Sequence, residues 1–365
     1  MNFQNILHAD NASYKEFDDF LRKSRIQKIF LVCGNSSKQL DIGKHIRNLP
    51  SKLGIGVEYF SEYTPNPDLN SVMRGIEQFK KSDADLIVAL GGGSAIDVAK
   101  CIKIWPYFYS EKQINNDLPL LAIPTTAGTG SESTHFAVIY KNGVKQSIED
   151  ENILPTAVLF DPGALVTLPI YQRKSTMLDA LSHSLESYWS VNSTGLSRGY
   201  SSEAIRAIFS NAGSYVKNED IGNRNMLMAA NMAGKAINIT KTTAGHAMSY
   251  KLTGLYGISH GHAAGLVNTV LFPWMIKNMD KCCDSRGKMF LENIFYKIAK
   301  DMGCDTPKDA AEKLKRFYKS LLLDKPQILE RDFKILKESV NNDRLSNTPV
   351  FMSDEDIDMI YHELL

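Results

Sequence analysis

The chain has 365 residues, 43% hydrophobic and 23% charged, with 42 basic against 41 acidic side chains and a net charge of +1. So even a balance offers no basic footprint for nucleic acid, and no apolar window is long enough to span a bilayer. The length exceeds one ordinary core and suits two domains. Cys33, Cys101, Cys282, Cys283 and Cys304 form no CxxC pair, and the start "MNFQNILHADNASYKEF" lacks the basic-then-apolar pattern of a signal peptide. A soluble cytoplasmic protein in a reducing compartment is expected.

In chain order, "KIFLVCG" (28–34), "GVEYF" (56–60), "DLIVAL" (85–90), "PLLAIPTT" (119–126) and "AVLFDP" (157–162) are near-continuous apolar runs. Such runs predict strands buried on both faces, as in a parallel sheet covered by helices. Helical patterns such as "DLNSVMRGIEQFKKS" and "SAIDVAKCIKIW" lie between them. In "HFAVIYKNGVKQSI" the Asn142-Gly143 pair predicts a hairpin turn. From about residue 164 the strand pattern stops, and "QRKSTMLDALSHSLESYW", "SRGYSSEAIRAIFSNAGSYV", "RNMLMAANMAGKAIN" and "DEDIDMIYHEL" read as helices. The expected architecture is an α/β, Rossmann-like nucleotide-binding domain over 1–163 and an all-α domain over 164–365.

"DLIVALGGGSAIDVAK" joins a strand, a glycine turn and a helix start. Gly91, Gly92 and Gly93 let a phosphate approach the backbone, the helix N-terminus aims its N–H groups there, and Ser94 adds a hydroxyl and doubles as a candidate N-cap. The pattern is not GxGxxG, and a tight turn with no ligand is the alternative reading of the glycines. A second hydroxyl- and glycine-rich loop, "IPTTAGTGSES" (123–133), follows the next strand. Two such loops at successive strand ends are where doubly wound folds bind nucleotides.

The stretch "HAMSYKLTGLYGISHGHAAG" (246–265) carries His246, His260 and His262 among small and aliphatic residues. A single buried histidine is more often a satisfied core residue than a ligand. Asp179 and His183, four apart in "DALSH", share one face of a predicted helix and offer a carboxylate and a further imidazole. With His246 and His260 they make one carboxylate and three imidazoles, a set that suits Fe(II), Zn(II) or another divalent first-row ion better than calcium or magnesium.

The order "TPNPDLNSV", "GGGSAID", "PTTAGTGSE", "LFDP", "DALSHSLE", "GHAMSYKLTGLYGISHGHAAG" resembles the iron-containing (group III) alcohol dehydrogenases over about residues 28–275. The resemblance implies a Rossmann-like domain, a helical domain and a site in the cleft between them. It implies that Asp179, His183, His246 and His260 ligate the metal, Fe2+ first and Zn2+ next. It makes Gly91, Gly92, Gly93 and Ser94 the pyrophosphate loop, with Asn66, Thr125, Thr126, Thr129, Val138, Lys145 and Leu168 as further dinucleotide contacts. The implied reaction is hydride transfer between a nicotinamide and a small aldehyde or alcohol, in a homodimer that needs neither nucleic acid nor membrane.

Two departures from the family pattern stand out. Many members carry a proton-relay histidine four residues after the third ligand, where this chain has Tyr250. A phenol, with an unperturbed pKa of about 10, is a poorer base at neutral pH. His262 is a possible substitute, and Tyr250 also reads as a packing residue. NAD-preferring members place an Asp at the end of the first strand, where this chain has Gly34 and then "NSSK". The missing carboxylate, with Asn35, Ser36, Ser37 and Lys38 as donors, favours NADPH over NADH. A finer resemblance of "ESYWSVNSTGLSRGYSSEA" and "HAMSYKLT" is to members that reduce phosphonoacetaldehyde to 2-hydroxyethylphosphonate. Lys241, Lys251 and Arg198 are then candidate substrate cations, though each also reads as a surface charge. General primary-alcohol or butanol-type dehydrogenases, glycerol dehydrogenase-like enzymes and a non-catalytic metal- or nucleotide-binding protein are the alternatives.

Overall fold

The computed structural model describes residues 4–10, 13–109 and 118–364. The chain divides into two compact units, Met1–Leu168 with Asn218–Leu227, and Pro169–Lys217 with Met228–Leu365.

In the first unit, β1 (Asn5–His8), β2 (Lys28–Cys33), β3 (Gly56–Phe60), β4 (Leu86–Gly91), β5 (Leu120–Pro124) and β8 (Ala157–Phe160) form a parallel sheet in the order β1-β8-β5-β4-β2-β3. β6 (Phe136–Lys141) and β7 (Val144–Glu149) make a separate antiparallel hairpin. Its turn is Asn142 and Gly143, at φ 53° and 75°, as the sequence predicts. The helices here are α1 (Lys15–Lys23), α2 (Asp41–Arg47), α3 (Leu49–Leu53), α4 (Leu69–Lys80), α5 (Gly93–Lys103) and α6 (Trp105–Phe108).

Alternation explains the unbroken apolar strands. Ile29, Leu31, Leu86, Val88 and Leu90 point to one face, where Phe17, Leu21, Ile42 and Ile46 cover them. Phe30, Val32, Ile87 and Ala89 point to the other, against Val72, Ile76, Ile96 and Ile102. Each Val, Leu, Ile or Phe among them contributes about 1.5–3 kcal/mol on full burial. β1 is an element that the apolar patterning does not announce. It is four residues long and half-buried, and it takes its place by pairing Asn5–His8 with Ala157–Phe160.

The second unit is helical: α7 (Ile170–Trp189), α8 (Gly195–Val216), the greater part of α9 (Asp220–Thr240), α10 (Ala244–Tyr256), α11 (His260–Lys277), α12 (Lys288–Asp301), α13 (Pro307–Ser320), α14 (Phe333–Glu338), α15 (Asn342–Leu345) and α16 (Asp354–Glu363). α11 is buried almost all round, packing on α7, α10 and α13, which explains why its sequence has no polar face. A left-handed Gly257 at φ 66° ends α10, so the histidine-rich stretch is two helices rather than one. Among the described residues no helix is long and apolar enough to cross a membrane.

Candidate functional site

In the first unit the sheet order reverses between β2 and β4, and ligands of such sheets bind outside the strand ends at that point. Gly34 follows β2 there and Gly91 ends β4, with Cys33 paired to Leu90. α5 starts at Gly93 with Gly92 as its N-cap, so Ser94 is inside the first turn and is not the cap that the sequence suggested. Its hydroxyl instead accepts the Asn66 backbone N–H at 3.3 Å. The Thr125 N–H donates to the Gly91 carbonyl at 3.0 Å, and the side chains of Thr126 and Thr129 lie against Gly92 and Gly93. The structure thus brings Asn66, Gly91–Ser94, Thr125, Thr126 and Thr129 to one end of the sheet. Val138 gives its N–H to Asp97 Oδ2 at 3.0 Å. Lys145 stands half-buried on the hairpin opposite Tyr140, and Leu168 donates its N–H to the Leu165 carbonyl at 3.0 Å.

Sequence reasoning missed the pair beneath these loops. Lys100, fully buried on α5, donates to Ser131 Oγ (3.2 Å), Thr134 Oγ1 (3.0 Å) and the Phe136 carbonyl (2.7 Å). Ser131 Oγ donates in turn to Asp97 Oδ1 at 2.6 Å. Burial pulls the Lys100 pKa down to about 8, against the nearby Asp97 and Glu132. The available clue was "DVAK", opposite charges three apart on a largely apolar helix. At the end of β2, Lys38 Nζ donates to Asn35 Oδ1 at 3.1 Å, and Arg47 donates to the Lys38 carbonyl at 2.8 Å.

In the second unit, α7 presents Asp179, His183 and Glu186 at i, i+4 and i+7, one face of a helix. α10 brings His246 and the first turn of α11 brings His260. One ligand atom each from Asp179, His246 and His260 lies within 4.8 Å of the others. His183 stands outside that group of three: its Nε2 lies 3.9 Å from Asp179 Oδ1 and its ring stacks on His246 at 4.6 Å. Two glycines make the approach possible. A Cβ on Gly261 would collide with the Ser175 carbonyl and with Asp179, and one on Gly245 would collide with Asn268 and Glu186.

The electrostatics ask for positive charge. Burial alone would raise the Asp179 carboxyl, yet the histidines around it hold it well below the usual carboxylate range. Burial likewise opposes protonation of His246, but Glu186 and Asp179 push it up to about 10. Asp179 Oδ1 and His246 Nε2 are buried, 3.6 Å apart, and without hydrogen-bond partners. Buried polar atoms of that kind call for a shared partner. A hard carboxylate oxygen with imidazole nitrogens fits a divalent first-row cation. Glu186 stands within "DALSHSLE", where spacing alone assigns it no role. Its buried carboxylate accepts the His246 Nδ1–H at 2.6 Å and Asn268 Nδ2 at 3.0 Å.

The remaining candidates divide. Tyr250, half-buried on α10, stacks on His260 at 5.5 Å and 14°, beside the cluster. His262 does not face it. The Ser259 N–H donates to Tyr171 Oη (2.8 Å), Tyr171 Oη meets His262 Nδ1 (3.2 Å), and His262 Nε2 meets Tyr318 Oη (2.7 Å). Burial lowers the His262 pKa to about 4, so this ring is neutral and tied into the packing of α7, α11 and α13. Arg198 is committed to the Ser193 carbonyl (3.0 Å) and hydroxyl (3.2 Å) and lies over the Phe290 ring. Lys241, left-handed at φ 60°, links α9 to α10, and Lys251 follows Tyr250, half-buried.

The pattern described as iron-containing alcohol dehydrogenase matches residues 5–162, and that of the Fe-containing alcohol dehydrogenase family, C-terminal, matches 174–365. The aldehyde-alcohol dehydrogenase of Streptococcus pneumoniae is 32% identical over 297 residues, which cover 73% of this chain and 33% of that protein, so the chain matches only about a third of that relative's length. The NAD-dependent methanol dehydrogenase of Bacillus methanolicus is 34% identical over 274 residues, 72% of this chain and 71% of the relative. The crystal structure of sulfoacetaldehyde reductase from Bifidobacterium kashiwanohense in complex with NAD+ superposes with a TM-score of 0.83 at 27% identity, covering 100% of this chain and 97% of that one. With both halves matched, the chain belongs to the iron-containing alcohol dehydrogenase family.

Proposed function

We propose that this protein is a metal-dependent alcohol dehydrogenase that works as an NAD(P)H-linked reductase of small aldehydes. Residues 1–163 take the dinucleotide role and 164–365 the metal and substrate role. The observation that carries the reading is the cluster of buried Asp179 and His246 with half-buried His260, in which two buried polar atoms have no hydrogen-bond partner. Asp179, His183, His246 and His260 hold the ion, Fe2+ or Zn2+. When bound, the ion supplies Lewis acidity toward a carbonyl oxygen, and the nicotinamide supplies hydride.

The chain's own residues do the rest. Gly91–Ser94, with Asn66, Thr125, Thr126 and Thr129, cradle the dinucleotide phosphates at the start of α5. Tyr250, stacked on His260, holds the proton that the product oxygen needs. A phenol keeps its proton at neutral pH, which suits reduction, the direction that consumes one. NADPH is the proposed reductant, because no carboxylate stands at Gly34, Lys38 bonds to the adjoining Asn35, and Arg47 bonds to the Lys38 carbonyl.

The substrate is an anionic two-carbon aldehyde, phosphonoacetaldehyde, reduced to 2-hydroxyethylphosphonate. The likeness to a sulfoacetaldehyde reductase supports a tetrahedral oxyanion group, and Lys241 and Lys251 are its proposed partners. Arg198, tied to Ser193, is left out of that set. Family likeness further supports a cytoplasmic homodimer. Anaerobic rates of NADPH and NADH oxidation by Fe(II)-loaded protein test the proposal. Preference for phosphonoacetaldehyde over an uncharged aldehyde of similar size supports the substrate. Equal rates remove the phosphonate reading, and no turnover with any aldehyde removes the enzyme.

A further inference from the structure

We propose that Glu186 is the positioning residue of the metal centre: it fixes His246 as the Nδ1–H tautomer and so leaves the Nε2 lone pair for the ion. The inference rests on the metal-centre reading above.

A neutral imidazole has one N–H, and whichever nitrogen carries it cannot ligate. The choice is made here by a fully buried carboxylate. Glu186 Oε1 accepts His246 Nδ1–H at 2.6 Å, which leaves Nε2 directed toward Asp179 Oδ1, 3.6 Å away. The same carboxylate also holds the main chain that carries the ring. Its Oε2 accepts the Thr243 N–H (2.7 Å), the Thr243 hydroxyl (3.0 Å) and the His246 N–H (3.2 Å).

Those two N–H groups belong to the N-cap and third residue of α10, a helix with no side-chain cap of its own. Glu186 therefore does from α7 what a capping side chain does locally. Asn268 Nδ2, reaching from α11, adds a further donor to Oε1 at 3.0 Å. Backbone and ring of His246 are thus fixed by one group from a neighbouring helix. Such carboxylate–histidine pairs set both the orientation and the basicity of a ligand, and losing one weakens metal binding about 10- to 100-fold.

The test uses full-length protein with Co2+ as the probe, titrated by its visible absorption, together with 15N NMR of the histidine rings. Glu186→Gln keeps the volume but turns two amide hydrogens toward groups that are already donors; Glu186→Ala removes the acceptor. The expected result is Co2+ binding weakened about 10- to 100-fold in both variants with an altered spectrum, while the dissociation constant for NADPH stays unchanged. His246→Ala serves as the reference for a lost ligand. A folded Glu186 variant that binds Co2+ as tightly as the unmutated protein, with the same spectrum, overturns the proposal. NMR decides even if neither variant folds: in the Zn2+-loaded unmutated protein His246 is expected to keep its one proton on Nδ1, and a ring with that proton on Nε2 also overturns the proposal. His246→Ala binding Co2+ normally would instead remove the metal-centre reading itself.

Discussion

His246 Nε2 and Asp179 Oδ1 face each other across 3.6 Å in the buried interior of the helical unit, and neither has a hydrogen-bond partner. An unpartnered buried polar atom costs about 1–3 kcal/mol, and one cation between the two relieves both. Zn2+ or anaerobic Fe2+ at a hundred times its dissociation constant is expected to stabilise this unit by about 2.7 kcal/mol. Scanning calorimetry with and without chelator reads the shift, which His246→Ala should abolish. Identical melts with and without metal would show that the cluster binds nothing.

Gly261 and Gly254 give opposite predictions from the same substitution. A methyl on Gly261 meets the Ser175 carbonyl and Asp179, both on α7, so Gly261→Ala must push α11 away from its ligand partner. Overpacking of this kind costs about 1–3 kcal/mol, and metal affinity should fall with it. A methyl on Gly254, inside α10, meets nothing within 4 Å, so Gly254→Ala should stabilise by about 0.5–1 kcal/mol. Denaturant melts of both variants check the signs. Equal effects would mean that the α7–α11 contact is slack.

Lys100 carries a prediction in the α/β unit. Its three hydrogen bonds hold the segment 131–136 to α5. Lys100→Met removes them and leaves Asp97 buried without its cation, which should cost about 3–5 kcal/mol. The Michaelis constant for the dinucleotide should rise while metal content is unchanged. Adding Asp97→Asn should recover part of the stability, because the uncompensated charge goes with it. A double variant no more stable than Lys100→Met would place the loss in the hydrogen bonds alone.

Much of this was legible in the sequence because it follows from periodicity. The runs that form β2, β4, β5 and β8 are apolar without a break since both sheet faces are covered, and Asp179 and His183 announce a shared helix face by their spacing. What depends on distant segments was not legible. β1 is too short to read alone and exists by pairing with β8, some 150 residues away. Glu186 lies on the Asp179 face, yet its role appears only when α10 delivers His246 to it. His260 and His262 look like partners in the sequence, but two residues on a helix differ by about 200°, and His262 turns to Tyr171 and Tyr318.

Replacing Tyr250 tests the proposed proton supply apart from metal binding. Tyr250→Phe keeps the ring that stacks on His260 and removes only the hydroxyl. Aldehyde reduction should slow by about 10²–10⁴-fold in kcat, with metal content and the dinucleotide Michaelis constant unchanged. Tyr250→His restores a base suited to neutral pH, so alcohol oxidation should gain relative to reduction. Unchanged kcat in Tyr250→Phe would reduce the residue to a packing role.

Gly34 governs the choice of nicotinamide in this reading. It follows β2 at the reversal of strand order, and a Cβ built there meets only the Tyr63 hydroxyl, at 4.0 Å, so a side chain can start there without moving the backbone. A carboxylate at that strand end accepts from the ribose diol of NADH and repels the 2′-phosphate of NADPH. Gly34→Asp should therefore lower the ratio of kcat/KM for NADPH over NADH at least about tenfold, or about 1.4 kcal/mol. Lys38→Ala should move the ratio the same way by less, since that ammonium is already bonded to Asn35. If Gly34→Asp leaves the ratio untouched, the ribose lies elsewhere than the end of β2. If the unmutated protein already prefers NADH, the absent carboxylate is not what selects the cofactor.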